Sequence, residues 1–169
     1  YSPMHAACET NQHAVLKILL AHATTEDLHR VEHTLNRTPL CSACCRDSVD
    51  CARVLLDHGA DISLGVPLGV DDAMETNLHA ACHDGSTNCV RLLLERGAHA
   101  GPLPGHQHRP LYIAARHGCV EIVRMLLEHG VDPDDSTNPM NLPDDRFGGQ
   151  TPLFAACYNS RKGVVPLLL

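Results

Sequence analysis

The chain has 169 residues, 44% of them hydrophobic, 20% charged and only 3% aromatic, with a formal net charge of −7. A core built around aromatic rings is therefore excluded, and small and aliphatic side chains must do the packing. No Lys/Arg patch of the kind nucleic-acid binding needs is visible, and no apolar stretch approaches the ~20 residues of a membrane span.

In chain order, five segments share one gapless frame: "SPMHAACETNQHAVLKILL" from Ser2, "TPLCSACCRDSVDCARVLL" from Thr38, "TNLHAACHDGSTNCVRLLL" from Thr76, "RPLYIAARHGCVEIVRMLL" from Arg109 and "TPLFAACYNSRKGVVPLLL" from Thr151. Start-to-start distances are 36, 38, 33 and 42 residues, so all length variation falls between segments. Each segment predicts the same elements. Ser2, Thr38, Thr76 and Thr151 are helix N-caps. Pro3, Pro39, Pro110 and Pro152 follow at the first helical position, where a missing N–H costs nothing. A short helix through small residues such as Ala6, Ala80 and Ala114 then allows close approach of neighbours. A left-handed turn follows at Asn11, Asp47, Gly85, Gly118 or Ser160. A second helix, with apolar residues such as Val15, Ile18 and Leu19 at helical spacing, is closed by Gly59, Gly97 or Gly130.

This pattern of two helices per unit of about 33 residues resembles the ankyrin repeat, whose T-P-L-H-x-A signature is matched by "SPMHAA", "TPLCSA", "TNLHAA", "RPLYIA" and "TPLFAA". The expected fold is an all-α ankyrin solenoid. Its five helix-turn-helix units, joined by β-turn fingers, cover about residues 1–23, 37–63, 75–100, 108–133 and 150–169. Departures from the pattern carry their own expectations. Arg109 lacks a capping hydroxyl, and Ala23 stands where unit one should have Gly. Pro166 inside the last helix costs ~3 kcal/mol, so that helix should start late or kink. The Pro- and Asp-rich finger 131–149 is expected to be irregular. The chain opens at Tyr1 and ends in Leu167, Leu168 and Leu169, expected to be exposed. A piece of a longer protein, poorly soluble alone, is the expectation.

Nine cysteines and thirteen histidines raise the question of chemistry. Counting the Pro slot of each unit as position one, Cys8, Cys44, Cys82 and Cys157 share position six, and Cys51 and Cys89 share position thirteen. Free Cys packs as a small hydrophobe, and equivalent positions of stacked units stand ~10 Å apart, too far for a disulfide or a shared metal. Cys41 and Cys45 share a helical face. With a nearby His they are the one pair that could hold a metal or sense redox state, but they lack the paired spacing of a zinc signature. His79 and His83 in "HAACH" do not form H-E-x-x-H. The acidic finger with Asp132, Asp134, Asp135, Asp144 and Asp145 lacks the ligand order of a calcium loop. No segment carries a nucleophile signature. No catalytic residue, metal or cofactor is expected.

The resemblance implies more. His5 and His79 should bond to the backbone around the turn. Partners of ankyrin repeats are bound by the fingers and by the exposed side of the first helices. On this chain those positions are Arg37, Cys45, Arg46, Glu75, His83, Asp84, His108, Arg116, His117, Phe147, Gln150, Tyr158 and Asn159. Cys45 is expected at the surface, and Tyr158 and Phe147 are candidate anchors. The implied function is a protein-binding scaffold or adaptor in signal transduction, in the cytoplasm or nucleus, and not an enzyme. The strings "CARVLLDHGAD" and "NCVRLLLERGA" are similar to the ankyrin repeat and SOCS box proteins, in which the repeats recruit substrates to a cullin-RING ubiquitin ligase through a box that does not occur in these residues. The alternative is a regulatory or tethering segment of a larger enzyme, channel or transcription regulator.

Overall fold

A computed structural model describes residues 2–32, 36–64, 66–67, 74–101, 109–134 and 151–169. Ten α-helices occur among them: α1 (Pro3–Glu9), α2 (His13–Leu20), α3 (Thr25–His29), α4 (Pro39–Cys45), α5 (Val49–Asp57), α6 (Asn77–Asp84), α7 (Thr87–Glu95), α8 (Pro110–His117), α9 (Val120–Glu128) and α10 (Pro152–Tyr158). A two-residue antiparallel pairing joins β1 (Val66–Pro67) to β2 (Met74–Glu75), with Val66 opposite Glu75. The finger 131–149 lies outside the described residues beyond Asp134.

None of these helices exceeds nine residues, and isolated helices this short are marginal in water. Packing holds them. The first helices stack as α1, α4, α6, α8 and α10, and the second helices as α2, α5, α7 and α9. This is the helical solenoid that the sequence resemblance implies. Position five is Ala7, Ala43, Ala81, Ala114 and Ala156, all buried. These side chains let each first helix sit close to its neighbours. Leu16, Leu55, Leu93 and Leu126 of the second helices complete one continuous core.

The local chemistry follows the frame. Thr38 Oγ1 accepts the Cys41 N–H at 3.1 Å, Thr151 Oγ1 that of Phe154 at 3.2 Å, and Ser2 Oγ that of Met4 at 3.3 Å. At Thr76 the imidazole takes part: the Thr76 N–H donates to His79 Nδ1 at 3.3 Å. Arg109 makes no side-chain cap. All five turns are left-handed, with φ between 52° and 77° at Asn11, Asp47, Gly85, Gly118 and Ser160. The second helices close on Gly59, Gly97 and Gly130 at positive φ. In unit five no second α-helix forms. Pro166 lies in a 3₁₀ turn, Val165–Leu167, because the ring removes a donor that an α-helix would need. Leu168 of the terminal apolar run is buried, contrary to expectation, whereas Leu169 is exposed.

Thiol and carboxylate bonds join neighbouring units. The Cys51 thiol donates to the Ala7 carbonyl at 3.5 Å, and the Cys89 thiol repeats this contact with Ala43 at 3.7 Å. Asp47 does more. Its Oδ1 accepts the Cys89 N–H at 2.9 Å and its Oδ2 the Asn88 amide at 2.7 Å. A carboxylate from unit two thus caps the positive end of α7 in unit three, whose own N-cap, Ser86, makes no side-chain cap bond. Glycine would suit the left-handed φ at position 47 but would remove both bonds. We therefore predict that Asp47→Gly and Asp47→Asn each lower stability by about 1 kcal/mol, measured by urea denaturation at neutral pH. A Gly variant more stable than wild type would show that backbone strain, not capping, governs the site.

Candidate protein-interaction surface

The exposed ends of the first helices and the turns after them form one continuous row. It runs from Glu9 and Thr10 through Arg46, His83, Asp84, Arg116 and His117 to Tyr158 and Asn159. Its composition changes along the stack, and so does its accessibility.

At unit two the end of the first helix is covered. Cys45 is only 8% exposed and packs with Cys41 and Ala80, with Val31 of the preceding connection laid against them. The expectation of a surface thiol at Cys45 is thus corrected. The long connection before unit two folds α3 and Val31 back onto α4, all of whose residues are buried. A hydrogen bond with the Cys41 thiol, together with burial, holds the Cys45 thiol far above its ordinary pKa, so it is neither reachable nor ionised. Arg37 is half-buried and serves the backbone. Its carbonyl accepts the Glu32 N–H at 2.9 Å and the His5 Nε2–H at 2.9 Å. The His5 contact is the turn-bonding role expected of that histidine. Arg46 stays exposed.

At units three to five the row is open. His83, Asp84, Arg116 and Tyr158 are exposed and His117 is half-buried. The rings of His83 and His117 meet across the unit boundary with centroids 4.6 Å apart. Asp84 lies 3.0 Å from His83 Nδ1. Tyr158, 74% exposed, stacks on Phe154 one turn earlier, with centroids 5.8 Å apart and planes 18° apart. Asn159 instead donates to the Ala155 carbonyl at 2.8 Å and finishes α10. Glu75 is in β2, paired with Val66. His108, Phe147 and Gln150 lie outside the described residues.

One residue of this surface was not singled out from the sequence. Arg161 crosses the unit boundary: its Nε donates to the Arg116 carbonyl at 3.0 Å. Its side chain lies over Gly118, where a Cβ would come within 2.7 Å of Arg161 Cδ. Position ten holds Ser48 and Ser86 in units two and three, both buried. A long cation in that slot was the available signal.

The titrating groups and thiols of the stack are set by burial. Burial holds His5 below its ordinary pKa, outweighing the Arg37 carbonyl and Glu32. Burial also depresses His117, reinforced by His83, Arg116 and Arg161 and opposed by Asp84. Burial raises the Cys8 and Cys82 thiols, pushes Cys51 up to about 11 and raises Cys119. Among the nine free cysteines Cys157 is exposed and Cys119 intermediate. The expected core role of Cys157 is corrected: its side chain is exposed, whereas its counterparts Cys8 and Cys44 pack against Cys51 and Cys89 of the next unit. Among the described residues no three His, Cys, Asp or Glu side chains come together as a metal site.

The similarity to known proteins agrees with this architecture. The family model described as "Ankyrin repeats (3 copies)" matches residues 1–66, 64–137 and 110–169. The crystal structure of the human ASB11 ankyrin repeat domain superposes with a TM-score of 0.79 at 31% identity, over 99% of this chain and 68% of that one. No curated protein matches in a sequence comparison.

Two outcomes are predicted. In thiol labelling of the folded chain, Cys157 reacts first and Cys119 more slowly, while the rest react only on unfolding. Labelling of Cys45 alongside Cys157 would contradict the cover provided by Val31. The second outcome concerns pH. Both His5 and His117 are depressed in the folded state, so their neutral forms cost nothing above the unfolded value of 6.5. Stability is lost as pH falls below that value toward the folded pKa values. The urea midpoint should fall between about pH 7 and about pH 5, and a flat or rising midpoint would contradict the assignment.

Together, the five in-frame segments, the stacked helix pairs and a family match spanning all 169 residues place this chain in the ankyrin-repeat family.

Proposed function

We propose that this chain is a non-catalytic adaptor that binds a partner protein through the open row of units three to five. The observation that carries the reading is the accessible Arg116–Tyr158 surface on a rigid helical stack. Exposed Tyr and Arg are the side chains most enriched among residues that dominate binding energy. The row is an extended surface rather than an enclosed site that excludes water, which favours recognition of a protein or peptide over catalysis.

The narrower reading is recruitment of a substrate to a cullin-RING ubiquitin ligase in the cytoplasm or nucleus. The sequence similarity to ankyrin repeat and SOCS box proteins and the likeness to the human ASB11 domain support it. Under this reading the ligase components contact a region outside residues 1–169. The alternative is a regulatory or tethering segment of a larger enzyme, channel or transcription regulator.

Quantitative affinity purification from cells tests the reading, comparing wild type with Tyr158→Ala and Arg116→Ala. Each variant should keep the wild-type melting profile and lose a defined partner by about tenfold in affinity. Retention of every partner by both variants would reject this surface. For the ligase role, the captured partner should accumulate when cullin activity is blocked; an unchanged level would leave the tethering alternative.

A further inference from the structure

The open row carries a charge pattern that runs against the chain as a whole. Over the helix ends and turns of units three to five the charged residues are Asp84, Arg116, Arg161 and Lys162, with His83 and His117 between them. Three permanent cations thus face one carboxylate in a protein of net charge −7. That carboxylate is engaged, since Asp84 lies against His83. Unit one carries Glu9 at the equivalent place, so positive charge is confined to the later units.

The cations are also positioned. The Nε bond of Arg161 to the Arg116 carbonyl fixes its guanidinium across the boundary between units four and five. Arg116 and Lys162 are exposed. The Phe154–Tyr158 stack runs along α10, whose last residue Tyr158 precedes Arg161 and Lys162 by one turn, and offers an aromatic surface. The two imidazoles sit at one edge, where His117 is kept neutral by burial and by the surrounding cations. A carboxylate placed among these groups would supply the missing counter-charge.

We propose that the patch formed by Arg116, Arg161, Lys162 and the His83–His117 pair, with Tyr158 beside it, docks an acidic peptide segment carrying an apolar or aromatic residue. This deepens the adaptor reading and rests on it. The carboxylates meet the guanidinium forks, which suit their bidentate geometry, and the apolar residue covers the Tyr158 ring. A short acidic segment is favoured over a nucleic acid because the overall negative charge repels a long polyanion, whereas a segment of a few residues meets only the local cations.

The test is selection from a displayed library of random dodecapeptides on the wild-type chain, followed by binding of the selected peptides in fluorescence anisotropy. The selected peptides should carry clustered Asp or Glu next to an aromatic or aliphatic residue. Their affinity should fall steeply between about 0.05 M and about 0.5 M salt and drop about tenfold or more in Arg116→Glu. Lys162→Glu, a second exposed site, should weaken binding in the same direction. Selection of neutral or basic peptides, equal binding by both charge-reversed variants, or tighter binding of a single-stranded oligonucleotide than of any peptide would overturn the proposal. So would a library that yields no binder. The two readings separate in the affinity purification: a cellular partner lost from Tyr158→Ala but kept by Arg116→Glu leaves the adaptor reading intact and removes the acidic segment.

Discussion

The structure depends on one constraint: no unit can bury its own second helix. Position thirteen shows it. Cys51, Cys89, Ile122 and Val164 are each fully buried, and each follows a preceding unit that can cover it. Their counterpart Val15, in unit one, is 47% exposed, and Ile18 one turn later is 67% exposed. The same residue type at the same helical position is core or surface according to whether a neighbour is present. Stability in such a stack is a sum over interfaces between neighbours. This explains why helices of seven to nine residues persist. It also explains why the thiol bonds that cross from unit to unit, at Cys51 and Cys89, recur at the same position.

That constraint also explains the cysteines. Four of them within residues 41–51 look like a site when read as a string. In the fold, Cys44 and Cys51 serve two different interfaces, one toward unit three and the other toward unit one. A hydrogen bond to Cys89, added to burial, keeps the Cys44 thiol protonated. Cys41 and Cys45 do share a face, as their spacing requires, but Val31 closes that face. Stacking thus converts potential ligands into packing atoms, and what remains for function is the part of each unit that the next does not cover.

The repeat frame made the helices, caps and turns legible in advance because each is a local property. A hydroxyl before Pro sets a cap, and Asn, Asp, Gly or Ser at one fixed place sets a left-handed turn. Pro166 announced a disturbance of the last helix, expected as a late start or a kink, whereas the structure shows only a 3₁₀ turn there. The sequence could not show what the connections do. The start of α3 is written in "TTEDLH", where Thr24 and Asp27 form a capping box, although it was not singled out from the sequence. That Val31 reaches Cys45 could not be read, because that contact depends on where the connection folds in space. The interaction row was legible as positions but not as an accessible surface. Cys45 drops out through burial. Arg161 enters through a contact that joins residues 45 apart in sequence.

The proposed recognition surface lies in the later units, where the first-helix ends stay open, positively charged and flanked by an aromatic stack. The most direct measurement is amide hydrogen exchange on the chain with and without its captured partner. The account predicts protection at the turns after α6, α8 and α10, around Asp84, Gly118 and Arg161, with no change around Arg46 or across α2. Protection centred on the outer helices or on unit one, with the Asp84–Arg161 turns unchanged, would contradict it.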